Sequence, residues 1–343
     1  MALDITKLRE WLNSWWLGSE DKPAPDMTPP TASQEDKERI NAIVGRIWHS
    51  PTGRELLENG HKAGFRIAFD NLGKKVPLGK FNDRTSVITM PGYASDGVCA
   101  ISLIMSLRGI AQNTVPALRQ SDEYTVISQI HIMRARTADQ FAHAMQIGHE
   151  LKAGKHESDE NPNASIWTNA SQRFPAMAKG YSDGINHKRS SEPGDNSFTR
   201  ALTGAFKAYY HSPTWLAHFD NLVIDRIEKL ESLGLFKTSD KFFTRKLDTI
   251  LLRQSLEHAN IKYLRHAGIH FEKKDYSGIN RRLAQRVREV SELLGVTVAR
   301  EDITLQDDDI NVPPPTSMPH VDDEELRMPS LQRIDLVPTP KGP

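Results

Sequence analysis

A single cysteine, Cys99, stands in 343 residues. That scarcity excludes an intramolecular disulfide and every multi-cysteine metal site, and it fits a reducing compartment. Val98 and Ala100 on either side mark Cys99 as a buried, inert thiol, because a nucleophilic cysteine needs a paired histidine in an electropositive pocket. Net charge is equally scarce. Forty-four basic residues face forty-four acidic ones, so nothing draws the chain as a whole toward nucleic acid or an anionic membrane. No apolar run approaches the ~20 residues of a membrane span. Asp4, Lys7, Arg9 and Glu10 interrupt any apolar core near the start, with no small-residue cleavage pattern, so the expected location is cytoplasmic. Also missing are a Gly-x-Ser-x-Gly elbow, a P-loop, a Gly-x-Gly-x-x-Gly turn after a strand, and zinc-finger spacing.

What is present suffices for a full core. Hydrophobic residues make up 38% and charged residues 26% of the chain, in a length that suits one large domain or two smaller ones. Residues 1–17 place Leu3, Leu8, Trp11, Leu12, Trp15 and Trp16 at three- and four-residue steps, an amphipathic Trp-rich helix. Such a helix packs on the body or docks a partner or a membrane surface; its mixed polar face argues against anionic lipid. Residues 18–34, with Pro23, Pro25, Pro29 and Pro30, read as a disordered linker. A helix is expected from about Gln34 to Trp48 with Ser33 as its N-cap. The main domain is expected over 35–234, with a weak helical pattern between Trp167 and Tyr181 and a strong one from Phe198 to Leu233. A helical C-terminal extension follows over 235–301, ending in a strand-like Val296, Thr297, Val298. A Pro-rich disordered tail over 302–343 is marked by Asp307, Asp308 and Asp309 and by Pro313, Pro314 and Pro315.

The stretch with most chemical content is residues 103–112, Leu-Ile-Met-Ser-Leu-Arg-Gly-Ile-Ala-Gln. A zinc-peptidase helix carries His-Glu-x-x-His, because two histidines four residues apart share one helical face, grip Zn²⁺, and leave the Glu beside the metal-bound water as general base. Met105, Ser106 and Gly109 occupy those three slots here, while the apolar lead-in, the Leu107-Arg108 pair and Gln112 keep the frame of a His-Glu-Leu-Arg-His-x-x-Gln helix. Before it lie Arg54-Glu55-Leu56-Leu57, the stretch from Gly64 to Asp70, a turn at Leu78, Gly79, Lys80 and Phe81, and an alternating strand from Ser86 to Pro91. After it come Arg134, then Thr137-Ala138-Asp139-Gln140-Phe141-Ala142 on a long helix, and later Ala205 to Tyr210.

In order and spacing, residues 40–228 resemble a zincin-like bacterial metallopeptidase domain of otherwise unknown function. The resemblance implies an α+β, mostly α-helical fold with a small sheet before the Met105 helix. It also implies a Glu-Ala-Asp-Ala pattern on the second helix, the Glu being the third metal ligand. This chain has Thr137 in that slot and keeps Asp139. The expectation is therefore a catalytically inactive pseudo-peptidase, without a cofactor, that serves as a binding or scaffold module for a protein or peptide partner. One alternative is an active zinc enzyme with a relocated metal site using Asp139 and His143. The other is an unrelated helical interaction protein, with the Met105 helix an ordinary core helix.

Arg108 is the one charge on that apolar helix, and a buried guanidinium is costly unless paired. Asp139 is the expected partner, in a structural ion pair tying the two motif helices; the competing reading sends Arg108 to solvent. His266 and His270 repeat a ligand spacing but straddle Gly268, which argues against a shared face. His149, His156, His187, His211 and His218 are scattered in polar or loop contexts. Arg281, Arg282, Arg286 and Arg288 share a helix with Glu289 and Glu292, a solvated mixed face rather than a nucleic-acid stripe.

Overall fold

The computed structural model describes residues 23–70, 80–82, 84–115, 118, 122–157, 161–187, 197–234, 236, 242–247, 250, 252–253, 256, 263–266, 269–299 and 302–306. The Trp-rich segment 1–17 and the tail beyond 306 lie outside the described residues. The first described helices are α1 (Gln34–Trp48) and α2 (Pro51–Lys62). Each begins on a serine: Ser33 Oγ accepts from Asp36 N at 3.1 Å and Ser50 Oγ from Gly53 N at 2.9 Å, satisfying amide groups that the first turn leaves open. Three short strands follow, β1 (Arg66–Asp70), β2 (Lys80–Asn82) and β3 (Val87–Pro91), in the order β1-β3-β2 with β1 parallel and β2 antiparallel to β3. Lys80 and Phe81, expected in a turn, instead pair with Thr89 and Ile88 as an edge strand.

The sheet rests on α3 (Asp96–Asn113), which leads into α4 (Val126–Ala153), a 28-residue helix and the axis of the molecule. At 1.5 Å per residue α4 is about 42 Å long. Residues of every helical phase along it are buried, among them Ile130, Ile132, Ala135, Ala138, Phe141, Ala144 and Ile147. Around it pack α2, α3, α5 (Ile166–Arg173), α6 (Pro175–Asn186), α7 (Ser197–Tyr210) and α8 (Pro213–Ser232). The weak pattern between Trp167 and Tyr181 thus resolves into two helices broken at Phe174, with Pro175 opening the second. Beyond α8 lie α9 (Tyr263–His266), α10 (Lys274–Ser277) and α11 (Arg281–Leu293). Val296, Thr297 and Val298 form no strand.

Three composition-based boundaries shift once side chains are followed. Met27, inside the expected linker, is fully buried and its carbonyl accepts from Ile67 N at 2.8 Å, so residues 23–33 lie against the body. Phe243, Leu252, Tyr263, Leu264, Phe271, Tyr276 and Val287, from the expected C-terminal extension, belong to the same hydrophobic core as α4. Ile303 is buried and Leu305 bridges Ile279, so the chain stays with the body through residue 306. Isolated apolar residues in a Pro-rich or polar context give no periodic signal; only the packed partner reveals them.

Helix α6 crosses α7 at close range. A Cβ built on Gly180 would overlap the carbonyl oxygen of Gly204, and one on Gly204 would overlap that of Gly180, so backbone meets backbone with no room for a methyl group. Gly180→Ala and Gly204→Ala are each expected to lower stability by about 1–3 kcal/mol through overpacking. Gly45→Ala in α1, where nothing lies within 4 Å, should be neutral or gain up to about 1 kcal/mol. Denaturant melts of the three variants check the contrast.

Candidate functional site

The α3–α4 seam holds the residues that the sequence singles out. Met105 is 3% exposed, Ser106 5%, Arg108 4%, and Thr137 and Asp139 0%. Gly109 is buried as well, and a Cβ there would sit 3.1 Å from both Gln140 Nε2 and Phe81 Cε1. The Thr137 hydroxyl donates to Met133 Sδ at 3.5 Å and adjoins the Tyr209 phenol. The positions that would carry ligands and base are therefore packed interior.

Asp139 is the hub. Its Oδ2 accepts from Arg108 Nε at 2.6 Å and from Gln112 Nε2 at 2.7 Å, and its Oδ1 accepts from Tyr263 OH at 2.9 Å. His143, one turn on, places Nδ1 2.8 Å from the Asp139 carbonyl and 3.2 Å from Oδ1. Gln112 joins a second layer, its Oε1 accepting from Gln140 Nε2 at 3.0 Å and Arg136 Nε at 3.3 Å. Arg136 also donates to the carbonyls of Leu118 and Gly109. Burial raises the Asp139 carboxyl, but the Arg108 charge and His143 outweigh it and hold the group well below the usual carboxylate range. Burial, reinforced by the Asp139 charge, pushes the Tyr263 phenol well above its ordinary value, so it stays a neutral donor.

A second buried pair lies farther toward the start of α4. Arg134 donates from Nε and Nη2 to the two oxygens of Asp220 at 2.8 and 2.6 Å, and from Nη1 to the Gly278 carbonyl at 2.8 Å. Burial works against that charge, and Asp220 more than offsets it, so the guanidinium titrates above its ordinary value. Sequence reasoning missed this pair, Gln112 as a ligand of Asp139, and Tyr263. Asp220, a lone acid among the apolar positions of α8, was a readable signal. Tyr263, 124 residues from Asp139, had none.

The other candidates are not brought together. Among the described residues no group of three or more His, Cys, Asp or Glu could hold a metal ion. His270 contacts Glu272 at 3.1 Å, and the His266 side chain lies outside the described residues. His156 stacks on His49 at 4.5 Å, His149 sits between Trp167 and Tyr181, and His218 contacts Trp215 and Phe219. His187 follows α6, and His211 is an exposed residue after α7. Burial pushes the Cys99 thiol up to about 12, and its Sγ donates to the Pro91 carbonyl at 3.3 Å. At the seam Gly109 and Met105 offer no nitrogen or oxygen side-chain ligand, and both Asp139 oxygens are engaged by a cation and neutral donors.

Because the folded-state pKa of Asp139 is depressed, its contribution to stability is fully present above the unfolded value near ~3.9 and is lost as pH falls toward the folded value. Between about pH 5 and 2, the native protein is expected to lose stability more steeply than Asp139→Asn, which cannot titrate there. Denaturant melts across that range read the two slopes, and parallel slopes would contradict the assignment.

No protein-family model, curated protein or solved structure matches this chain, so its function is read from the geometry of these two helices.

Proposed function

We propose that the chain is a non-catalytic, zincin-like module, a pseudo-peptidase that acts as a binding or scaffold protein. The observation that carries this reading is the closure of the α3–α4 seam by the Asp139 network. A metallopeptidase needs three protein ligands around an open coordination position and a base beside bound water. In this seam the carboxylate is committed to Arg108, Gln112 and Tyr263, and Gly109 lies against Phe81 and Gln140. Recruiting Asp139 and His143 to a metal would take the carboxylate away from the buried Arg108 guanidinium, a cost that a two-residue ligand set is poorly placed to offset.

On this reading a partner binds the outer surface, since the seam is closed. No helix among the described residues is long and apolar enough to cross a membrane. A protein or peptide partner is the class that suits a helical body with mixed surface charge.

Purified protein, dialysed without chelator and submitted to elemental analysis, is expected to carry no stoichiometric zinc. One zinc per chain, retained through dialysis, would overturn the reading in favour of a relocated metal site.

A further inference from the structure

Helix α11 carries its charge in two blocks. Residues 281–288 hold Arg281, Arg282, Arg286 and Arg288 and no acid, whereas residues 289–293 hold Glu289 and Glu292 and no base. That order runs against the helix dipole, which favours negative charge at the first turn and positive charge at the last. Arg286 is used within the fold, donating to Asn221 at 2.7 Å, Asp225 at 2.9 Å and Glu228 at 3.0 Å. The others face outward. At about 100° per residue, Arg282, Gln285, Arg288, Glu289, Glu292 and Leu293 fall on one continuous exposed arc, with Leu283, Val287 and Val290 buried on the opposite side. Arg282, Arg288 and Glu292 make no ion pair among the described residues, and Glu289 accepts only from Gln285, at 2.8 Å. Leu293 is 68% exposed, more than any other large hydrophobic side chain among the described residues.

A partner carrying one sign of charge would suit one block of this arc and repel the other. A second copy of the same helix, laid antiparallel, suits both. A two-fold axis across the helix near its middle brings the arginine block of each copy to the glutamate block of the other, and sets the two helix dipoles head to tail. The same operation keeps each edge of the arc facing its counterpart, so that Arg282 of one copy comes to Glu289 and Leu293 of the other, where the arginine stem covers the exposed leucine. The chain as a whole has no net charge, so copies do not repel at a distance.

We propose that α11 is a self-association surface, on which two copies of the chain pair through antiparallel α11 helices. The proposal goes beyond the reading of the α3–α4 seam and is independent of it. A 13-residue helix is about 20 Å long, and a contact of that length lies at the small end of interfaces. The pairing is therefore reversible, expected at tens of micromolar and weakened by salt.

Sedimentation velocity on the full chain tests this. At 100 μM the native protein is expected to populate a dimer in low salt and to lose at least tenfold in association constant when salt is raised to about 0.5 M. Arg282→Glu with Arg288→Glu makes the arc acidic, and Glu289→Arg with Glu292→Arg makes it basic. Each variant alone should associate at least tenfold more weakly than the native chain, since like charges then meet across the axis. Both place on their end of the helix the charge that the dipole favours, so each should fold normally, which circular dichroism and melting verify. Mixed together, the acidic and basic variants should pair with each other at native strength or better. Leu293→Ser, which leaves the charges alone, should weaken the native dimer. A native chain that stays monomeric at 100 μM in low salt, a dimer indifferent to the charge swaps, or variants that fail to pair when mixed would overturn the proposal.

Discussion

A helix buried around most of its surface cannot leave a charged side chain unpaired without a large cost, and α4 is such a helix. It carries Gln129, Arg134, Arg136, Thr137, Asp139, Gln140 and Gln146 into the interior, where an unpaired charge or amide costs kilocalories. The surrounding helices are placed so that each is met. Arg134 finds Asp220 of α8, Asp139 finds Arg108 of α3, and Gln146 accepts from Tyr181 OH of α6 at 2.6 Å. Near the end of α4, Glu150 accepts from Ser50 Oγ and from the Thr52 amide and hydroxyl, holding the N-terminus of α2. Hydrophobic burial drives collapse around α4, and these pairings fix which helix lies against which face.

That constraint bears on function. A buried ion pair adds little net stability over an apolar pair, yet losing one partner is costly, so a network like that of Asp139 acts as a latch. It holds α3, α4 and Tyr263 of α9 in one arrangement. Catalysis at the same seam would need an open position, space for water and a carboxylate free to bind a metal or take a proton. Rigidity and chemical availability compete for the same oxygens, and here the oxygens are engaged by the latch.

Much of this was legible in the residues. Ser33 marked the start of α1, the alternation from Ser86 to Pro91 contained β3, and a lone arginine on an apolar helix pointed to a buried partner, which Asp139 supplies. Local signals sufficed there because capping, alternation and the cost of an unpaired charge are local facts. Lys80 and Phe81 failed as a turn because strand β2 is three residues long, too short for a period to register. Met27 and Leu305 failed as linker and tail because one buried side chain in a polar context leaves no pattern. Tyr263 was beyond reach, since a contact across 124 residues is a product of the whole fold.

The most direct measurement on the α3–α4 latch is a double-mutant cycle on Arg108→Met and Asp139→Asn, read by denaturant melts. Each single variant is expected to cost about 3–5 kcal/mol because it removes the opposite charge from a buried ion pair. The double variant should cost clearly less than the sum of the two. Additive losses, or singles that change stability by less than about 0.5 kcal/mol as surface substitutions do, would contradict the latch and the closed seam built on it.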